Sequence, residues 1–174
     1  MIGPVLFLDL ATVTGWCEGV PGEKPISGSL RLSYQGATPA EKYAALFEFL
    51  GQRTAVTRYH TIAFEAPLDP RHMGSKTNMN TARVLMGLAA ITEAICGLTG
   101  TRTYECHLSD VRKFILAGSK PAKDEMKVAV IKMVRLMGHE PKDDNEADAV
   151  AGWYYATAIL DPRNAHNTQP LFRK

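Results

Sequence analysis

The sequence has little cysteine and no clustered histidine. Cys17, Cys96 and Cys106 stand singly among 174 residues. They form neither a disulfide framework nor a CxxC zinc pattern, and an odd number of scattered thiols fits a reducing cytoplasm, the expected location. His60, His72, His107, His139 and His166 are equally dispersed, without HExxH or a similar metal motif. No unbroken apolar run reaches ~18 residues, so no membrane span is expected. Met1 to Val5 lacks a charged segment before an apolar one, so no secretory leader is expected. Excess charge of one sign is also missing. The net charge is +2 and the pI about 8.4, below the ~9 of a strongly basic nucleic-acid-binding domain. No repeat, low-complexity tract or linker divides the chain.

What is present is the mixture of an ordinary globular protein, 45% hydrophobic and 22% charged. The length suits one domain at ~100–200 residues each, expected over 1–160 with an irregular tail over 161–174. Positive charge is concentrated locally. Arg102, Arg112, Lys113, Lys120, Lys123, Lys127, Lys132, Arg135 and Lys142 face only Glu105, Asp110, Asp124, Glu125 and Glu140 in that stretch, nine against five.

Val5 to Leu10 is too short for a helix and apolar enough for a strand buried on both faces. Thr14–Val20 and Ile26–Ser33 read as further strands joined by a turn at Gly19, Pro21 and Gly22. Three antiparallel strands in a meander follow. Thr38 caps a helix with Pro39 at its first position, and Tyr43, Leu46, Phe47 and Leu50 form its apolar stripe. Thr61–Glu65 is a strand stopped by Pro67, followed by a polar loop from Asp69 to Asn80. A helix from about Thr81 to Leu98, a strand over Thr101–Cys106 and a short helix capped by Ser109 come next. Helices over about Ala122–Met137 and Asp144–Leu160 complete the chain. Strands separated by helices imply parallel pairing beside the meander. The expected fold is therefore α/β, a ribonuclease H-like mixed sheet flanked by helices.

Certain acids sit where acids do not belong. Asp9 interrupts the most hydrophobic strand, and an isolated buried carboxylate requires a partner or a metal. Glu65 ends Ile62-Ala63-Phe64 in the same way. Both lie at C-terminal strand ends, where α/β sheets place ligand sites. Asp143 and Glu146 have capping-box spacing. Asp148 instead lies at the edge of the stripe Ala147, Val150, Ala151, Tyr154 and Ala158. Asp144, four residues earlier, projects to the same side, and like charges at that spacing repel unless a cation intervenes. Carboxylates converging without histidine or cysteine make a hard-oxygen site for Mg²⁺, with Mn²⁺ as a substitute. A pair of such ions suits phosphodiester hydrolysis. The small residues Ala147, Ala149 and Ala151 would let this helix approach the sheet closely.

Phe7-Leu8-Asp9-Leu10-Ala11-Thr12-Val13-Thr14-Gly15-Trp16, Ile62-Ala63-Phe64-Glu65-Ala66-Pro67 and Asp144-Asn145-Glu146-Ala147-Asp148-Ala149-Val150-Ala151 resemble the RuvC family of Holliday-junction resolvases, its phage-type members in particular. Val111-Arg112-Lys113 through Gly118 and Ala122-Lys123 resemble the family's basic stretch. The resemblance spans most of residues 5–158. It implies metal-ligand and catalytic roles for Asp9, Glu65 and Asp148. The fourth ligand is Asp144 or Asn145, because the family places Asp or His at the Asn145 position. Arg112 and Lys123 match basic positions near the scissile phosphate, with Lys123 in the catalytic set and Lys120 as its substitute. Leu10-Ala11 replaces the bacterial Pro-Gly, and Leu68 stands near the position of an aromatic.

The expected activity is Mg²⁺-dependent cleavage of branched DNA, most of all four-way junctions. The two-fold symmetry of a junction and the need for paired cuts predict a homodimer through the helix carrying Met79, Leu85 and Met86. Lys76 and Asn78 in the polar loop, with Arg112, Lys120 and Lys123, are expected to contact phosphates. Three other readings compete: a nuclease of the same fold acting on flaps, forks or RNA–DNA hybrids, an actin-like ATP-binding protein, and a DNA-binding protein without activity.

Overall fold

The computed structural model describes residues 1–67 and 79–165. Strands β1 (Val5–Asp9), β2 (Val13–Gly19) and β3 (Ile26–Arg31) form the expected antiparallel meander. Helix α1 (Pro39–Val56) leads to β4 (Thr61–Glu65), and α2 (Met79–Thr99) leads to β5 (Arg102–Cys106). Both β4 and β5 are added in parallel, giving one five-stranded sheet in the order β3-β2-β1-β4-β5. Helices α3 (Leu108–Ile115), α4 (Met126–Leu136), α5 (Asp144–Leu160) and the short α6 (Pro162–Ala165) follow.

Strand periodicity sends alternate side chains to opposite faces and builds two cores. Leu6, Leu8, Ile62 and Phe64 pack under α1 and α2 with Leu46, Leu50, Val84 and Leu88. Val5, Phe7, Cys17 and Ala63 pack under α3, α4 and α5 with Val111, Val130, Val150 and Trp153. By the same alternation Asp9 and Glu65 point to the α5 side.

Helix α5 is pressed against the sheet and runs antiparallel to β1. Its Trp153 Nε1 donates to the Val5 carbonyl at 3.0 Å. A β-carbon at Gly152 would collide with the Phe7 ring, and one at Gly15 with the Asn145 carbonyl. Ala147, Ala149 and Ala151 are fully buried, as their small size predicts. The helix is therefore not amphipathic. Trp153, Tyr154 and Ala156 are buried as well, because α3 and α4 cover the side that a surface helix would leave wet.

Several boundaries differ from expectation. Helix α4 begins at Met126, not Ala122, since Lys123–Glu125 form a turn. His107, not Ser109, precedes α3, and it makes no side-chain cap bond. Phe47 is 48% exposed rather than part of the α1 core stripe. The tail is not wholly irregular, because α6 follows Asp161, whose carboxylate accepts from Ile2 N and the Asn164 amide. Residues 166–174 lie outside the described part.

Among the described residues, helix α2 is long and apolar enough, by length and composition, to match a membrane span. An 18-residue window within its 21 residues has a mean hydropathy of 1.4, because Arg83 and Glu93 interrupt the apolar run without lowering that average much. Ala82, Val84, Leu88, Ala89, Thr92, Ile95 and Cys96 of this helix are buried within the protein.

The close approach of α5 makes Gly15 the least replaceable residue of β2. Gly15→Ala is expected to cost about 3 kcal/mol, the upper end of overpacking penalties. Gly51→Ala, with nothing within 4 Å of its new methyl, should stabilise α1 by up to ~1 kcal/mol. Urea denaturation midpoints measure both, and an unchanged midpoint for Gly15→Ala would contradict the packing described.

Candidate active site

Asp9 and Glu65 end parallel neighbouring strands, one residue beyond the paired Leu8 and Phe64. Their carboxyls are hydrogen-bonded to each other. Opposite Asp9 across the antiparallel ladder stands Gly15, whose missing side chain admits the first turn of α5. That turn carries Asp144 and, one turn further on, Asp148. Parallel pairing and the close helix thus gather acids from three distant stretches.

The start of α5 is fixed to the edge strand. Asp143 caps the helix by accepting from Glu146 N at 2.8 Å and also accepts from Ser29 Oγ at 2.6 Å. Glu146 is buried and accepts from Ser27 Oγ and Lys142 N at 2.8 and 2.9 Å. Only half of the capping box forms, because the Glu146 carboxylate is used by β3 instead. Asp143 and Glu146 are therefore structural acids that aim Asp144 and Asp148.

Burial lifts the Asp9 carboxyl well above the usual carboxylate range, and Glu65, Asp148 and Asp144 raise it further. Burial also lifts Glu65, opposed by the hydrogen bond from Asp9 and by the Arg112 guanidinium. Asp148 is pushed up to about 6, first by burial, against the pull of Arg112 and Lys127 and with a further push from Glu65 and Asp144. Asp144 goes the other way. Its hydrogen-bonded ion pair with Lys127 holds it below the usual range.

Two cations stand beside the acids. Arg112, on α3, acts electrostatically on Glu65 and Asp148, and its Nε is buried without a hydrogen-bond partner among the described residues. Lys127, on the first turn of α4, pairs with Asp144 and also feels Asp148 and Asp9. Lys127 is absent from the sequence-based site, which takes Lys123 from the resemblance to a family position, and the helix start distinguishes the two. A helix from Ala122 puts Lys123 on its first turn, whereas a helix from Met126 puts Lys127 there. Lys120 and Lys123 are exposed in the connection between α3 and α4, and among the described contacts neither reaches the acids. Asn145 packs its backbone against Gly15, and its N–H supports the Asp144 carboxylate. Lys76, Asn78, the rest of their loop and Leu68 lie outside the described residues.

Among the described residues no three His, Cys, Asp or Glu side chains are gathered closely enough to hold an ion as they stand. The carboxyls are instead engaged with each other and with Lys127. The donor chemistry still fits a hard divalent cation. It is all oxygen, desolvated and mutually repulsive, so a bound cation would relieve the forces that now raise Asp9, Glu65 and Asp148.

No family model and no curated protein matches the sequence. Solved structures are similar. RuvC of Thermus thermophilus in complex with a Holliday junction substrate superposes with a TM-score of 0.66 at 16% identity, covering 91% of this chain and 96% of that one. Another Thermus thermophilus RuvC structure gives 0.64 at 16% identity, over 90% and 96%. The yeast mitochondrial Holliday junction resolvase gives 0.60 at 12% identity, over 92% and 81%. The chain has the RuvC-like, ribonuclease H-like fold.

A raised carboxyl pKa means that the folded state binds its proton more tightly than the unfolded one, so stability falls as pH rises. For Asp148 the loss runs from the ordinary 3.8 to about 6 and is complete above that. Asp148→Asn removes the penalty. With divalent ions chelated, the variant should melt about 2–6 °C above wild type at pH 7.5, the shift that ~1–2 kcal/mol makes in a domain of this size. The two should converge near pH 4. A variant melting below wild type at pH 7.5 would refute this description of the site.

Proposed function

We propose that this protein is a metal-dependent endonuclease that cleaves branched DNA, four-way junctions above all, as a homodimer in the cytoplasm. The observation that carries the reading is the convergence of Asp9, Glu65 and Asp148 in a desolvated site flanked by Lys127 and Arg112. It is supported by a fold shared with RuvC, which has been solved with a Holliday junction substrate.

Asp9, Glu65 and Asp148 would hold Mg²⁺, or Mn²⁺ in its place, with Asp144 or Asn145 as the fourth ligand. Bound as a pair, such ions would make water nucleophilic and neutralise charge on a scissile phosphate. The chain's own groups do the rest. Arg112 and Lys127 place positive charge where a phosphodiester gains negative charge during cleavage. Lys127 takes the position assigned to Lys123 from the sequence, while Lys123 and Lys120 remain as contacts to DNA outside the acids. Lys76 and Asn78 would add phosphate contacts from their loop. Among the described residues no nucleophilic side chain with an adjacent base stands in the site, so direct hydrolysis without a covalent enzyme intermediate is proposed.

Dimerisation is assigned to α2. Met79 and Leu98 are 79% and 78% exposed, and Met86 is 43% exposed. They are large apolar side chains on a helix whose other side is already packed. A two-fold contact there would supply two active sites for paired cuts on a junction with the same symmetry. Light scattering at micromolar concentration should give twice 19.1 kDa, and Met86→Glu should give the monomer. A wild-type monomer with and without DNA would remove the dimer from the proposal.

The activity is tested with a synthetic four-way junction, a flap, a fork, linear duplex and an RNA–DNA hybrid. Junction cleavage is expected with Mg²⁺ or Mn²⁺ and little with Ca²⁺, whose looser coordination does not impose the same geometry. Asp9→Asn, Glu65→Gln and Asp148→Asn should each cut at least ~10²-fold more slowly while still binding the junction, since loss of a metal's charge stabilisation is worth several kcal/mol. Cleavage of the hybrid or flap without the junction would keep the chemistry and change the substrate. Undiminished cutting by Asp9→Asn would end the metal-site reading.

A further inference from the structure

A cleft of about 680 Å³ opens beside the acids, on the α1 and α2 side of the sheet. Ala11 and Thr12, at the turn just after Asp9, form one wall. Pro39 and Lys42 of α1 and Asn80, Arg83 and Leu85 of α2 form others. Leu85 also lines a smaller depression with Leu10, Glu65 and Pro67. The two adjoin at that side chain, so the cleft with Lys42 and Arg83 lies next to the depression that Glu65 lines.

The charge of this groove is one-sided. Among the described residues its lining contains two cations and no acid. Among the described residues neither Lys42 nor Arg83 is ion-paired. The nearest acid in sequence, Glu41, is already used, because its carboxylate accepts from Thr38 and from Tyr34. The helices that carry the two cations are joined beside them, where Tyr43 OH donates to the Arg83 carbonyl at 2.9 Å. The adjoining residue on one helix and the bonded residue on the other thus present the two charges. The volume lies within the ~300–1,000 Å³ of small-ligand sites, room for a short stretch of one strand and not for a duplex. Ala11, Ala37, Pro39 and Val84 offer apolar contact to sugars or bases between the charges.

We propose that this groove carries the DNA strand next to the scissile phosphate, with Lys42 and Arg83 binding its backbone phosphates. The assignment rests on the nuclease reading and adds to it the strand's path away from the acids. It puts recognition on the face of the sheet opposite α5, and it accounts for two cations that the metal site does not use.

The test measures binding of a fluorescent four-way junction to the full chain carrying Asp9→Asn, across a series of salt concentrations. Adding Lys42→Gln or Arg83→Gln should weaken binding and reduce the slope of log Kd against log salt by about one unit each, and by about two together. Arg58→Gln, beyond the far end of α1, should leave the slope alone. In the cleavage-competent chain the double variant should raise KM more than it lowers kcat. A slope and affinity equal to the parent's in the double variant, while the parent binds and the wild type cleaves junctions, would overturn the groove and leave the nuclease reading intact. A wild type that binds and cuts no branched DNA would overturn both. Saturable ATP binding that Lys42→Gln abolishes, with junction binding unchanged, would assign the groove to a nucleotide and overturn the strand path.

Discussion

Asp9, Glu65 and Asp148 are held within electrostatic reach of one another where water is scarce, and much of the chain is arranged around that fact. Desolvation disfavours the charged form of all three, and repulsion from neighbouring acids adds to it at Asp9 and Asp148. The fold tolerates them because Asp9 and Glu65 share a hydrogen bond and Arg112 and Lys127 stand close by. It can place them only because α5 comes down onto β1 and β2 at Gly15 and Gly152. The helix is kept there by Asp143 and Glu146, which bind Ser29 and Ser27 on β3. Strand pairing, helix approach and helix capping are thus parts of one solution to an electrostatic problem.

The sequence makes some of this legible. An aspartate inside Val-Leu-Phe-Leu and a glutamate after Ile-Ala-Phe violate the pattern of their strands, and the violation marks the site. Asp148 stands out likewise at the edge of an apolar stripe. The meander and the parallel additions follow from element order, since each parallel strand is reached through a helix. Helix ends are a different matter. Lys123, Asp124 and Glu125 are compatible with a helix by composition, yet they form a turn, and the helix starts where Met126, Ala129 and Val130 find the core. That displacement of about one turn puts Lys127, and not the Lys123 that the resemblance names, on the helix's first turn beside Asp144. Glu146 is misread for a related reason: its spacing signals a cap, but a serine on an edge strand far away in sequence captures it. Local patterns report local bonds, and the bonds that set these residues' roles are long-range.

The likeness to RuvC structures at 12–16% identity, with no family model matching, has a physical basis in how this core is built. The sheet and α5 meet largely through glycine and alanine, and such contacts constrain size more than identity. Large side chains elsewhere in either core can be exchanged for others of similar volume. The fold can therefore persist while little of the wording of the sequence does.

The sheet also acts as a partition. Leu6, Leu8, Ile62 and Phe64 belong to one core and Val5, Phe7 and Ala63 to the other, and the strands' backbones are what the two share. A change in volume on the α1 and α2 side reaches Asp9 mainly through strand backbone, which is stiff, and not through a chain of touching side chains. The two faces can accordingly accumulate substitutions on separate schedules, one drifting while the other stays fixed.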